Sequence, residues 1–369
     1  MAQHRHKGRA APRQSSSPAN GRNEPFLPQL QYPRRAHIEA SRWTPVLDRL
    51  SVQSMKLSLT SLGPLFAVIA VTLFSLNDVT MKFLSGGYAL HQIVLIRSLV
   101  GISVVLLFMM PFQGGRAALK TGRLGAQMAR AGMVFFANMT FFLGLAALPL
   151  ADAVALFFVS PFIITIFSVL FLGEVVGPRR WAAVGVGMLG VLIILRPGTS
   201  SFQLASLLPI AAAFGYAGLH IMTRYLRDTE SALSMVFYIQ LMFIVATLAL
   251  GLIMGDGKFA GSDNASLDFL FRAWVVPTRA DLPSLLILGV FASVGGYFIS
   301  QAYRLGEAAL VAPFEYLALP LSILLGVLIF DEWPDLVAWI GIALVLGSGL
   351  YTVWRENQLA KRQSPKRQG

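Results

Sequence analysis

Phe171-Leu172-Gly173-Glu174-Val175-Val176-Gly177-Pro178-Arg179-Arg180-Trp181 and Ile329-Phe330-Asp331-Glu332-Trp333-Pro334-Asp335-Leu336-Val337-Ala338-Trp339 are two versions of one junction. Each closes one apolar run and opens the next. A shift of 158 residues lays Glu174 on Glu332, Trp181 on Trp339 and Ala151 on Ala309. A shift of 142 lays Asp78 on His220, Lys82 on Arg224 and Phe83 on Tyr225. Self-similarity at this spacing marks a duplicated unit. Around the junctions lie apolar segments near 63–84, 90–110, 127–148, 151–172, 178–195, 204–226, 231–254, 282–304, 308–330 and 336–355. A bilayer core is spanned by about 20 apolar residues in a helix. The expected fold is therefore an all-α membrane protein of ten transmembrane helices. Each copy holds five, and an odd number turns the second copy upside down in the membrane. Inverted repeats of this kind place a binding site between the halves.

Composition excludes the soluble alternatives. Hydrophobic residues make up 55% of the 369 and charged residues 13%, about half the charge of a globular domain. With no cysteine, disulfide frameworks, thiolate metal sites and cysteine nucleophiles are ruled out. The net charge of +12 is not spread along a nucleic-acid face; the basic residues crowd the first 60 positions and the ends of apolar runs. Residues 1–60 carry ten Lys and Arg against three acidic residues and six prolines. Such a segment buries too little to offset its ordering entropy and reads as a disordered basic tail. Met55-Lys56 is an alternative natural start. The expected organisation is tail 1–60, first repeat 63–196, second repeat 204–355 and basic tail 356–369.

Loop charge sets the expected orientation. Arg116, Lys120, Arg123, Arg130, Arg179, Arg180, Arg224, Arg227 and Arg304 fall on one side with the C-terminal basic cluster, while Arg196, Lys258, Arg272 and Arg279 fall on the other. The richer side is cytoplasmic, so both termini are expected inside a cell inner membrane. The long connection 255–281 contains Leu267–Val276 with Trp274, which could lie on the membrane surface as a short helix.

Two five-helix copies ending in Pro161…Gly173-Glu174…Trp181 and Pro320…Asp331-Glu332…Trp339 resemble the EamA-type drug/metabolite transporter superfamily over 63–355. Ala312-Pro313-Phe314-Glu315-Tyr316, Phe330-Asp331-Glu332-Trp333-Pro334 and Asn77-Asp78 followed by Lys82 resemble one subgroup more closely. That subgroup includes S-adenosylmethionine uptake carriers and riboflavin importers. The resemblance implies a ten-helix, alternating-access secondary carrier of a small organic metabolite, in uptake or efflux, without a cofactor. The second repeat departs from the first: Pro320 falls one residue late, and Pro313 has no counterpart at Ala155.

Charges inside apolar helices are functional candidates because each costs about 2.5–3.5 kcal/mol on insertion scales. Asp78 falls about 20 Å along helix 1, beside Asn77. Lys82, one turn on, could pair with Asp78 or reach for the interface. Arg97 in helix 2 could hold a carboxylate or phosphate through its planar fork, or tie to Asp78. His220 could exchange protons and couple transport to a proton gradient, or simply pack. Glu315 follows Pro313, whose missing N–H frees a carbonyl and kinks the helix; a tie to Arg304 is the alternative. Asn138, Gln240, Gln301, Tyr216 and Tyr316 supply amide and aromatic groups suited to a flat, polar-edged metabolite.

Two signals are set aside. Gly185-Val186-Gly187-Met188-Leu189-Gly190 matches a dinucleotide-binding pattern but lies in an apolar helix with no preceding strand, so close helix packing explains it. Glu174 and Glu332 fall at opposite faces and read as capping or gating groups for the helices begun by Pro178 and Pro334, not as paired catalytic acids. An intramembrane enzyme lacks a metal or nucleophile constellation, and a scaffold lacks an output domain. Expected partners are lipid, a small-molecule substrate and protons, with a homodimer left open and nucleic acid excluded. The loop charges predict that a cysteine at Ser262, in this cysteine-free chain, reacts with impermeant reagents from outside and one at Ala118 does not. The reverse labelling would overturn the orientation.

Overall fold

In lipid a backbone must satisfy its own hydrogen bonds, so apolar spans become helices. The computed structural model describes residues 62–173, 176–199, 202–226, 229–305, 311 and 314–363. The tail 1–60, Glu174 and Pro313 lie outside the described residues, as do the side chains of Arg224 and Arg304. Among the described residues all regular structure is helical, and nine helices are long and apolar enough to cross a membrane. We number the helices α1 (Leu62–Leu84), α2 (Leu90–Val104), α3 (Leu124–Ala147), α4 (Leu150–Phe157), α5 (Ser160–Leu172) and α6 (Pro178–Leu195). The second half holds α7 (Leu207–Leu226), α8 (Ala232–Met254), α9 (Ala265–Phe271), α10 (Leu282–Leu305), α11 (Ala318–Phe330) and α12 (Leu336–Gln363).

The expected continuous helix over 151–172 is instead broken into α4 and α5 at Phe158 and Val159. Pro161 has no N–H to donate back to Phe157, and it sits in the first turn of α5, where that N–H has no helical partner anyway. The second half repeats the break at Tyr316 and Leu317, 158 residues later. Pro320 again falls in the first turn of the following helix, α11. Both half-helices then stop on a left-handed residue, Gly173 at φ 66° and Asp331 at φ 56°, again 158 apart. Asp331 holds this conformation without glycine's freedom, at a cost of about 1–2 kcal/mol.

The halves meet around this break. The rings of Phe158 and Tyr316, equivalent by the repeat, pack at 5.0 Å between centroids. Equivalent groups can touch only near the axis relating the two copies, which places both breaks there. Elsewhere small residues let backbones approach. A Cβ at Gly190 would lie 2.8 Å from the Gly341 carbonyl, and one at Gly341 2.8 Å from the Gly190 carbonyl, so α6 and α12 cross in direct contact. Two glycines of the apparent dinucleotide pattern of α6 serve packing, Gly190 against α12 and Gly187 against the Phe162 ring of α5.

The connection 255–281 does form a short helix, α9, and it packs onto the protein. Phe269 is buried in the core, the Ser266 hydroxyl donates to the Leu143 carbonyl at 2.7 Å, and Trp274 donates to His91 Nδ1. Arg272 reaches back to the Ser85 carbonyl at 2.7 Å. Outside the spans, the Tyr88 and Thr278 hydroxyls hold the Asp281 carboxyl below the usual range. Free polar groups at the ends of α1–α3 thus have partners that a lipid surface would not offer.

Close packing makes the glycines unequal. Gly190→Leu should lower unfolding stability by about 1–3 kcal/mol through overpacking. Gly185→Ala, which meets nothing within 4 Å, should stay within about 0.5 kcal/mol. Thermal unfolding of the full chain in detergent measures both; equal effects would contradict the crossing of α6 and α12.

Candidate functional site

The interior polar groups come from both halves. On α1, Asn77 and Asp78 share one turn, and the Asn77 amide donates to Asp78 Oδ1 at 3.3 Å. On α2, the buried Arg97 donates through Nη2 to Asn138 Oδ1 of α3 at 3.4 Å. Asn138 is itself aimed by its amide, which donates to the Val134 carbonyl at 3.1 Å. The guanidinium lies over two rings, Phe142 of the first half at 5.3 Å and Phe243 of the second at 5.1 Å. Aromatic faces compensate part of the desolvation of a buried cation.

Asp78 and Arg97 feel each other's charge, yet no ion pair within 4.0 Å joins them among the described residues. Arg97 Nε and Asn77 Oδ1 are buried without hydrogen-bond partners. Asp78 lies deep in the bundle and still keeps accessible surface. A donor, an acceptor and two opposite charges therefore face one interior region with capacity to spare. Such an arrangement can receive a ligand that offers both acceptor and donor atoms.

Lys82 corrects one expectation. It does not pair with Asp78: its Nζ lies 2.6 Å from Glu332 Oε1 and donates to the Leu148 carbonyl. Glu332 Oε2 accepts from the Leu150 amide at 2.8 Å. Glu332 thus caps α4, a helix of the other half, and not the helix after Pro334. That helix, α12, is capped by Asp335, which accepts from Ala338 N at 2.8 Å and pairs with Arg196. Arg196 and the Ala338 amide hold the Asp335 carboxyl below its ordinary range. A long-range partner is invisible to a one-turn spacing rule, which is why the sequence points Lys82 at Asp78.

The remaining candidates separate. Tyr216 and His220 stack edge to face at 4.6 Å, with Phe157 on the other side of Tyr216 at 5.1 Å. The charge of Glu315 reaches Tyr216, so the second half's carboxylate and this aromatic ladder share one region. Tyr316 is buried, its ring laid over Gly349. Gln240 donates to Ser293 at 2.9 Å and packs on Gly101, tying α8 to α10 and α2. Gln301 donates to Tyr297 at 2.8 Å within α10. Among the described residues no three His, Asp or Glu converge as a metal site would need. Arg130, which the sequence reading counts among the cytoplasmic-side charges, is buried, and its spacing of two turns from Asn138 on α3 puts both on one face.

Helices long and apolar enough to cross a bilayer, in two repeats with buried, unsatisfied polar groups among them, are the architecture of a multi-pass membrane transporter. The comparisons agree. The chain matches the EamA-like transporter family over residues 61–196 and 203–354 and belongs to it. It is similar to a riboflavin transporter of Rhizobium johnstonii, 32% identical over 82% of this chain and 94% of the relative. It is also similar to an S-adenosylmethionine uptake transporter of Rickettsia felis, 27% identical over 84% of this chain and 98% of the relative. A solved crystal structure shares the fold with a TM-score of 0.59 at 18% identity, covering 81% of this chain and 99% of the other.

Proposed function

We propose that the chain is a secondary carrier that imports a flat, polar-edged metabolite of the riboflavin kind by alternating access. The observation that carries this reading is Arg97, clasped between Phe142 and Phe243, one ring from each half. A guanidinium held by both halves lies where a substrate would be exchanged between them. Aromatic faces at Phe157, Tyr216 and His220 offer stacking surfaces. The hydrogen-bonding edge of such a ring would span Asn77, Asp78 and Arg97. The riboflavin relative, aligned over nearly its whole length, supports the same substrate class.

A second reading is uptake of S-adenosylmethionine. The separation of the Asp78 and Arg97 charges favours it, because a zwitterionic amino-acid group could bridge them. In either reading His220 or Glu315 would exchange the coupling proton. The carrier would sit in the cell inner membrane with its termini cytoplasmic.

Proteoliposomes holding the full chain, given labelled riboflavin or S-adenosylmethionine with and without a proton gradient, test both. Saturable, gradient-dependent riboflavin uptake is expected. Asp78→Asn and Arg97→Gln should each lower the initial rate at least about tenfold, equivalent to about 1.4 kcal/mol. The double variant should not recover, since the two charges make no direct pair. S-adenosylmethionine uptake alone would establish the second reading. Transport of neither, or unchanged rates in both variants, would overturn the proposal.

A further inference from the structure

Arg130 has no role in the site described above. It lies on α3 about 12 Å from Asn138 by helix rise, on the same face. Its side chain is 6% exposed. Nε donates to Thr223 Oγ1 at 2.8 Å, and Nη1 reaches the Met235 carbonyl at 3.4 Å. Thr223 in turn donates to the Leu219 carbonyl at 2.8 Å, so its oxygen is fixed as an acceptor and aims the guanidinium. Arg97 has Asp78 within its field, but no described acid stands so near Arg130. Among the described residues it makes no ion pair. A buried guanidinium whose charge no described residue neutralises is costly and calls for an anion.

His220 supplies an independent observation. Its buried Nε2 has no hydrogen-bond partner, its ring is held edge-on by Tyr216, and the Arg130 charge reaches it. It also lies deep in the bundle while keeping accessible surface. With the proton on Nε2, the imidazole is a donor without an acceptor. Guanidinium and imidazole donors from α3 and α7 then lack the same thing, an acceptor oxygen carrying negative charge.

We propose that Arg130 and His220 form an oxyanion site that takes the carboxylate or phosphate group of a soluble solute. The guanidinium offers two parallel N–H bonds, the geometry that carboxylates and phosphates match. With Arg97 of α2 held at Asn138, two turns further along the face of α3, a solute would meet a second cation on its way through. The inference rests on reading the interior as a solute path, but not on which metabolite is carried.

The test uses the full chain, unmutated and with His220→Asn, in phosphatidylcholine vesicles. Phenylglyoxal modifies accessible arginines, and peptide mass spectrometry reads the adduct at Arg130. Inorganic phosphate or acetate should slow the adduct several-fold, while chloride at equal ionic strength should not. In His220→Asn the protection should weaken several-fold. Arg130 that never reacts would be a sealed structural group, and Arg130 that reacts without protection would bind no anion; either overturns the site. Protection that appears only when the vesicles contain phosphatidylglycerol would assign it to lipid headgroups and overturn the solute reading. Unchanged protection in His220→Asn would overturn the two-residue site. The adduct is read without transport, so a failure of riboflavin uptake leaves this result standing on its own.

Discussion

The ion pair between Lys82 and Glu332, 2.6 Å apart, meets the start of α4 where chain segments from both halves converge. A helix start presents free N–H groups and the positive end of the helix dipole, so a carboxylate is favoured there. Glu332 satisfies the Leu150 amide with one oxygen and Lys82 with the other. Lys82 then spends a second donor on the Leu148 carbonyl, which the preceding helix end leaves free. The left-handed turn at Asp331 brings Glu332 to this point. Its strain is tolerated because the contact it enables fixes α1, α4 and α11 together.

With that end held, the rest of the interior follows from the cost of charge in an apolar medium. Each buried polar group must find a partner or face water. Gln240 finds Ser293, and Arg97 finds Asn138 and two aromatic faces. Asp78 and Arg97 stay apart, and Arg97 Nε and Asn77 Oδ1 keep spare hydrogen-bonding capacity, which is the condition for binding something else. Stability and function therefore divide along the bundle: paired charges close one end, and unpaired capacity lies deeper in.

Much of this was legible in the residues. The span lengths of the apolar pattern marked the helices, and the Glu174/Glu332 and Trp181/Trp339 matches marked their duplication. Asp78 and Arg97 were legible as interior groups because both fall inside those spans. The break at Phe158–Val159 was not, although Ser160-Pro161 held the signal, since a proline in a first turn leaves hydropathy unchanged. The partner of Lys82 was not, because it lies 250 residues away in sequence. Trp274 looked like an interfacial aromatic and proved to be a docked one, since its partner His91 is reached only through the folded chain.

The central claim is that Lys82 and Glu332 act as one unit joining the halves. A double-mutant cycle on the full chain in detergent, with Lys82→Met, Glu332→Gln and both together, measures it by unfolding. Glutamine keeps the acceptor for Leu150 and removes only the charge. The account predicts a coupling of about 1–3 kcal/mol between the two changes. Effects that add to within about 0.5 kcal/mol would contradict it.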